Sequence, residues 1–146
     1  METTKYQNEI LEKLQKQAKF WADSSQKFVP DTLLENIDFM NKSELEDTSF
    51  GIIELDDKGR VIFFNNTESK LTGVSKEEAV GKNFFTEVAP CTNNFIFKGT
   101  FENGVQKNEL NHLFPYTFTY RMAPTHVKVH LYRTKQRRNF IFILRR

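Results

Sequence analysis

Cysteine occurs once in these 146 residues, at Cys91. One thiol excludes an internal disulfide and any cysteine-rich metal site. Histidine occurs three times, at His112, His126 and His130, too scattered for a zinc site that needs four close ligands. Neither sign of charge is in large excess, the formal net charge being +2. No apolar run approaches the roughly 20 residues needed to span a bilayer. The opening METTKYQNEILEKLQKQ is charged throughout, so no secretory signal is expected there. These absences point to a cytoplasmic protein with no membrane partner, long enough for one domain with a real core and an appendage.

What the chain does have is phenylalanine: fifteen, against four tyrosines and one tryptophan. Such a core is built from large aromatic side chains, and walls of that kind also suit a flat aromatic ligand. Over residues 4–22, Leu11, Leu14, Ala18 and Trp21 recur at three- and four-residue steps, with Tyr6 and Ile10 nearby. This predicts an amphipathic surface helix, supported by Glu9 and Glu12 four residues ahead of Lys13 and Lys16. It is too short to establish a coiled coil, and docking on its own domain competes with dimerisation. Residues 1–25 are therefore an N-terminal helical extension and 26–146 the domain proper. After Pro30, Asp31 is expected to cap a short helix carrying Leu33, Leu34, Ile37 and Met40.

From Phe50 the apolar period changes to two. FGIIEL, the turn DDKG and VIFF predict a hairpin ending at Phe64. Asn65 to Gly73 predicts a short helix stopped by Gly73, and Ser75 with Glu78 a capping box. Phe97, Phe101 and Val105 mark a further helix. The last third predicts three strands: Pro115 to Met122, with Tyr116, Phe118, Tyr120 and Met122 on one face; a run with Val127, Val129 and Leu131; and Asn139 to Leu144, apolar on both faces. The order is that of an α+β fold with an antiparallel sheet.

The lone thiol sits in GKNFFTEVAPCT, Gly81 to Thr92, where it could be buried filler, a nucleophile or an attachment point. No histidine lies near it in sequence to serve as base, and no cysteine-hydrolase signature surrounds it, so no enzyme is expected. His126 and His130 share parity opposite Val127 and Val129 and are expected on a solvated face. Arg133, Lys135, Arg137, Arg138, Arg145 and Arg146 gather at two strand ends and a turn. With a modest net charge and no nucleic-acid motif, they read as a solvated basic rim, with no nucleic-acid partner.

The segment Gly81 to Thr92 closely resembles the chromophore-attachment segment of the photoactive yellow protein family. The resemblance continues through YTFTYRM, Tyr116 to Met122, and PTHVKVH, Pro124 to His130, and upstream through Phe50-Gly51, Asn65, Glu68 and Thr72-Gly73. It runs from near Phe28 to the C-terminus and leaves the first 22 or so residues without a counterpart. It implies a PAS-like fold: a central antiparallel sheet flanked by short helices, with an N-terminal helical cap across the other face. It also implies a cofactor, p-coumaric acid (4-hydroxycinnamic acid), held as a thioester on Cys91, whose own N–H would bond the thioester carbonyl while Pro90 fixes the bend. Glu68 and Thr72 match residues that hold the phenolic end; Phe64 stands where the family has a tyrosine, so one hydroxyl donor is missing. Burial should keep Glu68 protonated, and Thr72 is expected to donate the second bond. A less stabilised phenolate, with some neutral chromophore near neutral pH, follows. Val74 stands where the family often has an arginine. Ile53, Phe84, Phe118 and Tyr120 match pocket walls, and Met122 matches a methionine associated with return to the ground state. The implied function is a blue-light photoreceptor: trans–cis isomerisation, proton transfer from Glu68, then partial unfolding of the N-terminal region as the signal to an unknown downstream protein. A PAS-like interaction module without chromophore is the alternative.

Overall fold

The computed structural model describes residues 9–13, 27–119 and 123–146. Residues 9–13 are helical, and Ile10 and Leu11 on them are exposed. The rest of the helix expected over 4–22 lies outside the described residues, as do Tyr120 and Met122. Among the described residues no helix is long and apolar enough to cross a membrane.

Five strands form one antiparallel sheet: β1 (Gly51–Leu55), β2 (Val61–Phe64), β3 (Asn111–Phe118), β4 (Thr125–Arg133) and β5 (Asn139–Arg145), in the order β2-β1-β5-β4-β3. β5 lies at the centre, which is why Phe140 to Ile143 are buried on both faces. The β1–β2 turn forms where expected: Asp56 Oδ1 accepts from the Lys58 and Arg60 N–H groups (both 2.9 Å), and Gly59 takes a φ of 90°. β3 begins four residues before the expected Pro115. Its first residues are partly exposed and do not alternate cleanly, which hid them in the sequence. As β3 is an edge strand, Pro115 costs it no ladder bond toward a further strand.

One face of the sheet carries the larger core, where Ile53, Val127, Val129, Leu131, Ile141 and Ile143 meet Phe84, Phe85, Phe97 and Phe101. α3 (Asn66–Thr72), α4 (Lys76–Ala79) and α5 (Thr100–Lys107) lie among the segments joining β2 to β3. Between α4 and α5 the chain makes two π-helical turns, Phe84–Val88 and Phe95–Gly99, and a 3-10 turn, Pro90–Thr92. The helix expected from Phe97 onward is thus a π-turn running into α5; Gly99 sits at the junction. The Ser75 side chain caps α4 by accepting from the Glu78 N–H (3.1 Å).

The opposite face is covered by the N-terminal segment. α1 (Asp31–Asn36), a 3-10 turn (Ile37–Phe39) and α2 (Lys42–Leu45) bury Val29, Leu34, Ile37 and Leu45 against Phe50, Ile52, Phe63, Phe140 and Phe142. Pro30, not Asp31, occupies the N-cap position of α1; Asp31 is its first residue and makes no capping bond. Met40 falls beyond the helix because the 3-10 turn ends it.

Two expectations about the surface are overturned here. His130 is fully buried, because β4 turns that parity toward the N-terminal cap: its ring meets Phe28 and Phe142 edge-on, and Nε2 pairs with Asn111 Oδ1 at 2.6 Å. His126 does face outward. The basic rim is not simply solvated. Arg138 forms a forked pair with the buried Glu54 (2.8 and 3.1 Å) and reaches Asp38 of the cap (3.5 Å). The buried side chain of Arg133 bonds Asp57 at 2.8 Å and Asn139 at 2.7 Å. Acidic partners from β1, its turn and the cap converge on these arginines, a juxtaposition made by the fold.

Candidate functional site

Asn65 sets the site. It stands where β2 ends, and its side-chain oxygen caps α3 by accepting from the Glu68 N–H (2.9 Å). The same oxygen accepts from Ile52 N–H of β1 (2.9 Å), and the amide donates to Leu45 O (2.8 Å). One buried side chain thereby ties α3 to β1 and to the cap helix α2. Gly73, with φ 75°, ends α3 and donates its N–H to Ser69 O (2.8 Å).

This cap aims Glu68 inward. Glu68 is 1 % exposed, and its Oε2 has no hydrogen-bond partner. Burial pushes its pKa up to about 8, because a carboxylate loses its hydration there and gains no cation or donor in exchange. The group is therefore mostly protonated at neutral pH, as its apolar setting led one to expect. Thr72, one turn on, behaves differently from expectation. Its hydroxyl donates to Glu68 O (2.9 Å) and accepts from Val74 N–H (3.2 Å). The one hydroxyl hydrogen is held by the helix backbone, so Thr72 must give up that bond before donating to a ligand.

Glu68 and Thr72 form the polar side of a small void of about 20 Å³; Phe64, Phe84 and Phe118 form its aromatic side, and Val74, Val88 and Ala89 close it. That volume suits about one water molecule, not an aromatic ring. Ile53 is wholly buried in the same core but does not line the void.

Cys91 belongs to the 3-10 turn that Pro90 opens, a position where the missing proline N–H costs nothing. The turn is fixed by Thr92, whose N–H and hydroxyl both reach Ala89 O (2.9 and 2.7 Å). Cys91 is half-buried and packs against the larger core without lining the void. Its carbonyl is gripped from β3: the Tyr116 hydroxyl donates to Cys91 O, and Asn94 Nδ2 donates to Tyr116 Oη (2.7 Å) and to Cys91 O (3.2 Å). Burial pushes the Tyr116 phenol above its ordinary pKa, partly offset by the bond from Asn94, so it stays a donor. Tyr116 and Asn94 were not expected at the site. Tyr116 was legible only as a core-facing strand residue, since a contact spanning 25 positions leaves no local pattern.

The structure thus brings Phe64, Glu68, Thr72, Phe84 and Phe118 together around one void, with Cys91 on a rigid turn that follows Val88 and Ala89 of its wall. The PAS fold family matches residues 40–146. The chain is 42 % identical over 107 residues to the photoactive yellow protein of Rhodothalassium salexigens, covering 73 % of this chain and 86 % of that one. It is 40 % identical over 104 residues to the photoactive yellow protein of Halochromatium salexigens, covering 71 % and 83 %. Among solved structures, the photoactive yellow protein domain from the sensor histidine kinase Ppr of Rhodospirillum centenum superimposes with a TM-score of 0.70 at 38 % identity, covering 74 % of this chain and 96 % of that one. A shared PAS sheet, and identity at this level across most of the length of these relatives, make the chain a member of the photoactive yellow protein family.

Proposed function

We propose that this chain is a blue-light photosensor that carries p-coumaric acid as a thioester on Cys91, with Glu68 holding the phenolic end. The observation that supports this most strongly is Glu68: a buried carboxyl with an orphan oxygen, on a side chain that lines an aromatic-walled void. A buried polar atom without a partner is costly, and a phenolic oxygen is a partner of the right chemistry. The donor set therefore fits the group. The void does not hold a ring as it stands, so loading requires the Phe64, Phe84 and Phe118 side chains or the π-turn behind them to give way. Bound there, the acid would supply a conjugated chromophore that absorbs blue light and isomerises about its double bond.

The chain's own residues define the rest. Cys91 supplies the nucleophilic sulfur, and Tyr116 and Asn94 hold its carbonyl so that the turn presents the thiol in one orientation. Phe64, Phe84 and Phe118 exclude water. Glu68 holds a proton on its carboxyl near neutral pH and can give it to an anionic oxygen in the void. The carboxylate left behind is then buried without a cation, a state costing several kcal/mol. The segment held with fewest buried contacts should yield first. We assign that role to the N-terminal region, including the cap that packs on the far face, with its release the signal to a downstream protein. The Ppr domain's place in a sensor histidine kinase is in keeping with such a hand-over.

The small size of the void and Phe64 favour a second reading, an interaction module that binds no chromophore. Reconstitution with activated p-coumarate separates the two. The proposal expects an added mass of one hydroxycinnamoyl group, a visible band that blue light bleaches reversibly, and loss of both in Cys91→Ala. It also expects two interconverting bands between pH 5 and 9, because no tyrosine hydroxyl stands at position 64. An unmodified Cys91 after reconstitution would leave only the interaction module.

A further inference from the structure

Gly51 opens β1, pairs with Ile143 and is buried. Its backbone does not require glycine: among the described residues the glycines with positive φ are Gly59, Gly73 and Gly81. Glycine in a strand forgoes side-chain packing and loses more freedom on folding, so the reason for it lies elsewhere. It lies in space. A Cβ on residue 51 would stand 1.8 Å from Glu68 Oε2, 2.9 Å from Glu68 Cδ and 3.2 Å from Glu68 Cβ. The carboxyl of Glu68 occupies the volume in which a side chain at 51 would begin. The same side chain borders the void on its other flank, where the room for about one water is also room for a carboxyl oxygen.

We propose that Gly51 is a positioning residue for Glu68. The bare backbone gives the carboxyl a place to stand back, and a ligand oxygen draws it forward. Glu68 thus has two positions, one against Gly51 and one in the void, and a methyl group at 51 closes the first. The far end of a flexible side chain is what must move, so the substitution displaces Glu68 rather than the strand. For its ligand this inference rests on the chromophore reading; for the two carboxyl positions it rests on Gly51 and Glu68 alone.

Infrared spectroscopy of the full chain without ligand tests it, with the Glu68 carbonyl band identified by its disappearance in Glu68→Gln. In Gly51→Ala that band should move to lower frequency, because a carboxyl forced into the void accepts from a water there or draws the Thr72 hydroxyl away from Glu68 O. A folded Gly51→Ala protein with the band unmoved would overturn the proposal. Should Gly51→Ala fail to fold, the proposal fails, and Gly51→Ala/Glu68→Ala shows where. A folded double variant means that the displaced carboxyl had no second position in the void; an unfolded one means that more than Glu68 crowds residue 51. After acylation, parent and Gly51→Ala should share one Glu68 band frequency, and two distinct bands would exclude the forward position. Failure of Cys91 to acylate would sink the photosensor reading and leave the ligand-free test standing.

Discussion

Replacing Glu68 by glutamine in the protein without ligand should change how stability depends on pH, in a direction fixed by the burial of the carboxyl. Below about pH 4.5 the folded and unfolded chains both hold the proton on residue 68. Between 4.5 and about 8 the unfolded chain loses it and the folded chain keeps it. A raised folded pKa therefore contributes stability at low pH that is lost as pH rises, by about 1.4 kcal/mol per unit. Across the whole window the loss approaches 5 kcal/mol, a large part of the stability of a domain this size. Glutamine cannot ionise. Its amide leaves a fixed, pH-independent offset and removes the slope. Urea unfolding of both proteins at pH 4.5, 6, 7 and 8.5 should show Glu68→Gln gaining on the parent steadily with pH and levelling above 8. Comparing the pair cancels every other titrating group, His130 included. A stability difference that stays constant from pH 4.5 to 8.5 would refute the reasoning, because it would mean that the carboxyl is already ionised and solvated in the fold.

His130 should act with the opposite slope. Its folded pKa is lowered to about 4 by burial, with smaller contributions from Lys27 and His112 against Asp31, so stability should fall by about 3 kcal/mol as pH drops from 6.5 to 4; His130→Gln should flatten that limb of the urea profile. Asn65→Ala should cost about 3 kcal/mol by removing an N-cap and the buried bonds to Ile52, Leu45 and Phe50, read as a lower urea midpoint. Arg138→Met should cost about 3–5 kcal/mol by stranding Glu54, and Glu54→Leu/Arg138→Met should recover most of it, both measured by thermal unfolding. Tyr116→Phe should cost about 1 kcal/mol and increase the rate at which Cys91 reacts with a thiol reagent, since the carbonyl of its turn is no longer held from β3.

Much of this was legible before any coordinates. The hairpin from Gly51 to Phe64, the stop at Gly73, the Ser75 cap and the doubly apolar β5 all followed from signals spanning a few residues. The site was legible in part. Glu68, Thr72, Phe64, Phe84 and Phe118 were placed together by resemblance, and they do surround one void. Ile53 shares the core but not the void, and the Thr72 hydroxyl is engaged with its own helix. The signals that failed were those in which the deciding partner is distant in the chain. His130 looked solvated because strand parity gives a face but not what covers it. Arg133 and Arg138 looked like a free rim because Asp57, Glu54 and Asp38 lie 76 to 100 positions away.

The sequence alone determined the periods of the strands, the caps and turns that bound them, and the single thiol that a ligand could use. These are local matters: which residues alternate, which side chain can reach a backbone N–H three positions on, where a left-handed φ needs glycine. Tertiary structure decided what is buried and what is paired. It set Glu68 against the bare backbone of Gly51, closed the cap over His130 and drew Tyr116 onto the carbonyl of Cys91. Desolvation and the exclusion of one atom by another depend on every neighbour at once, and those neighbours come from parts of the chain that no local pattern connects.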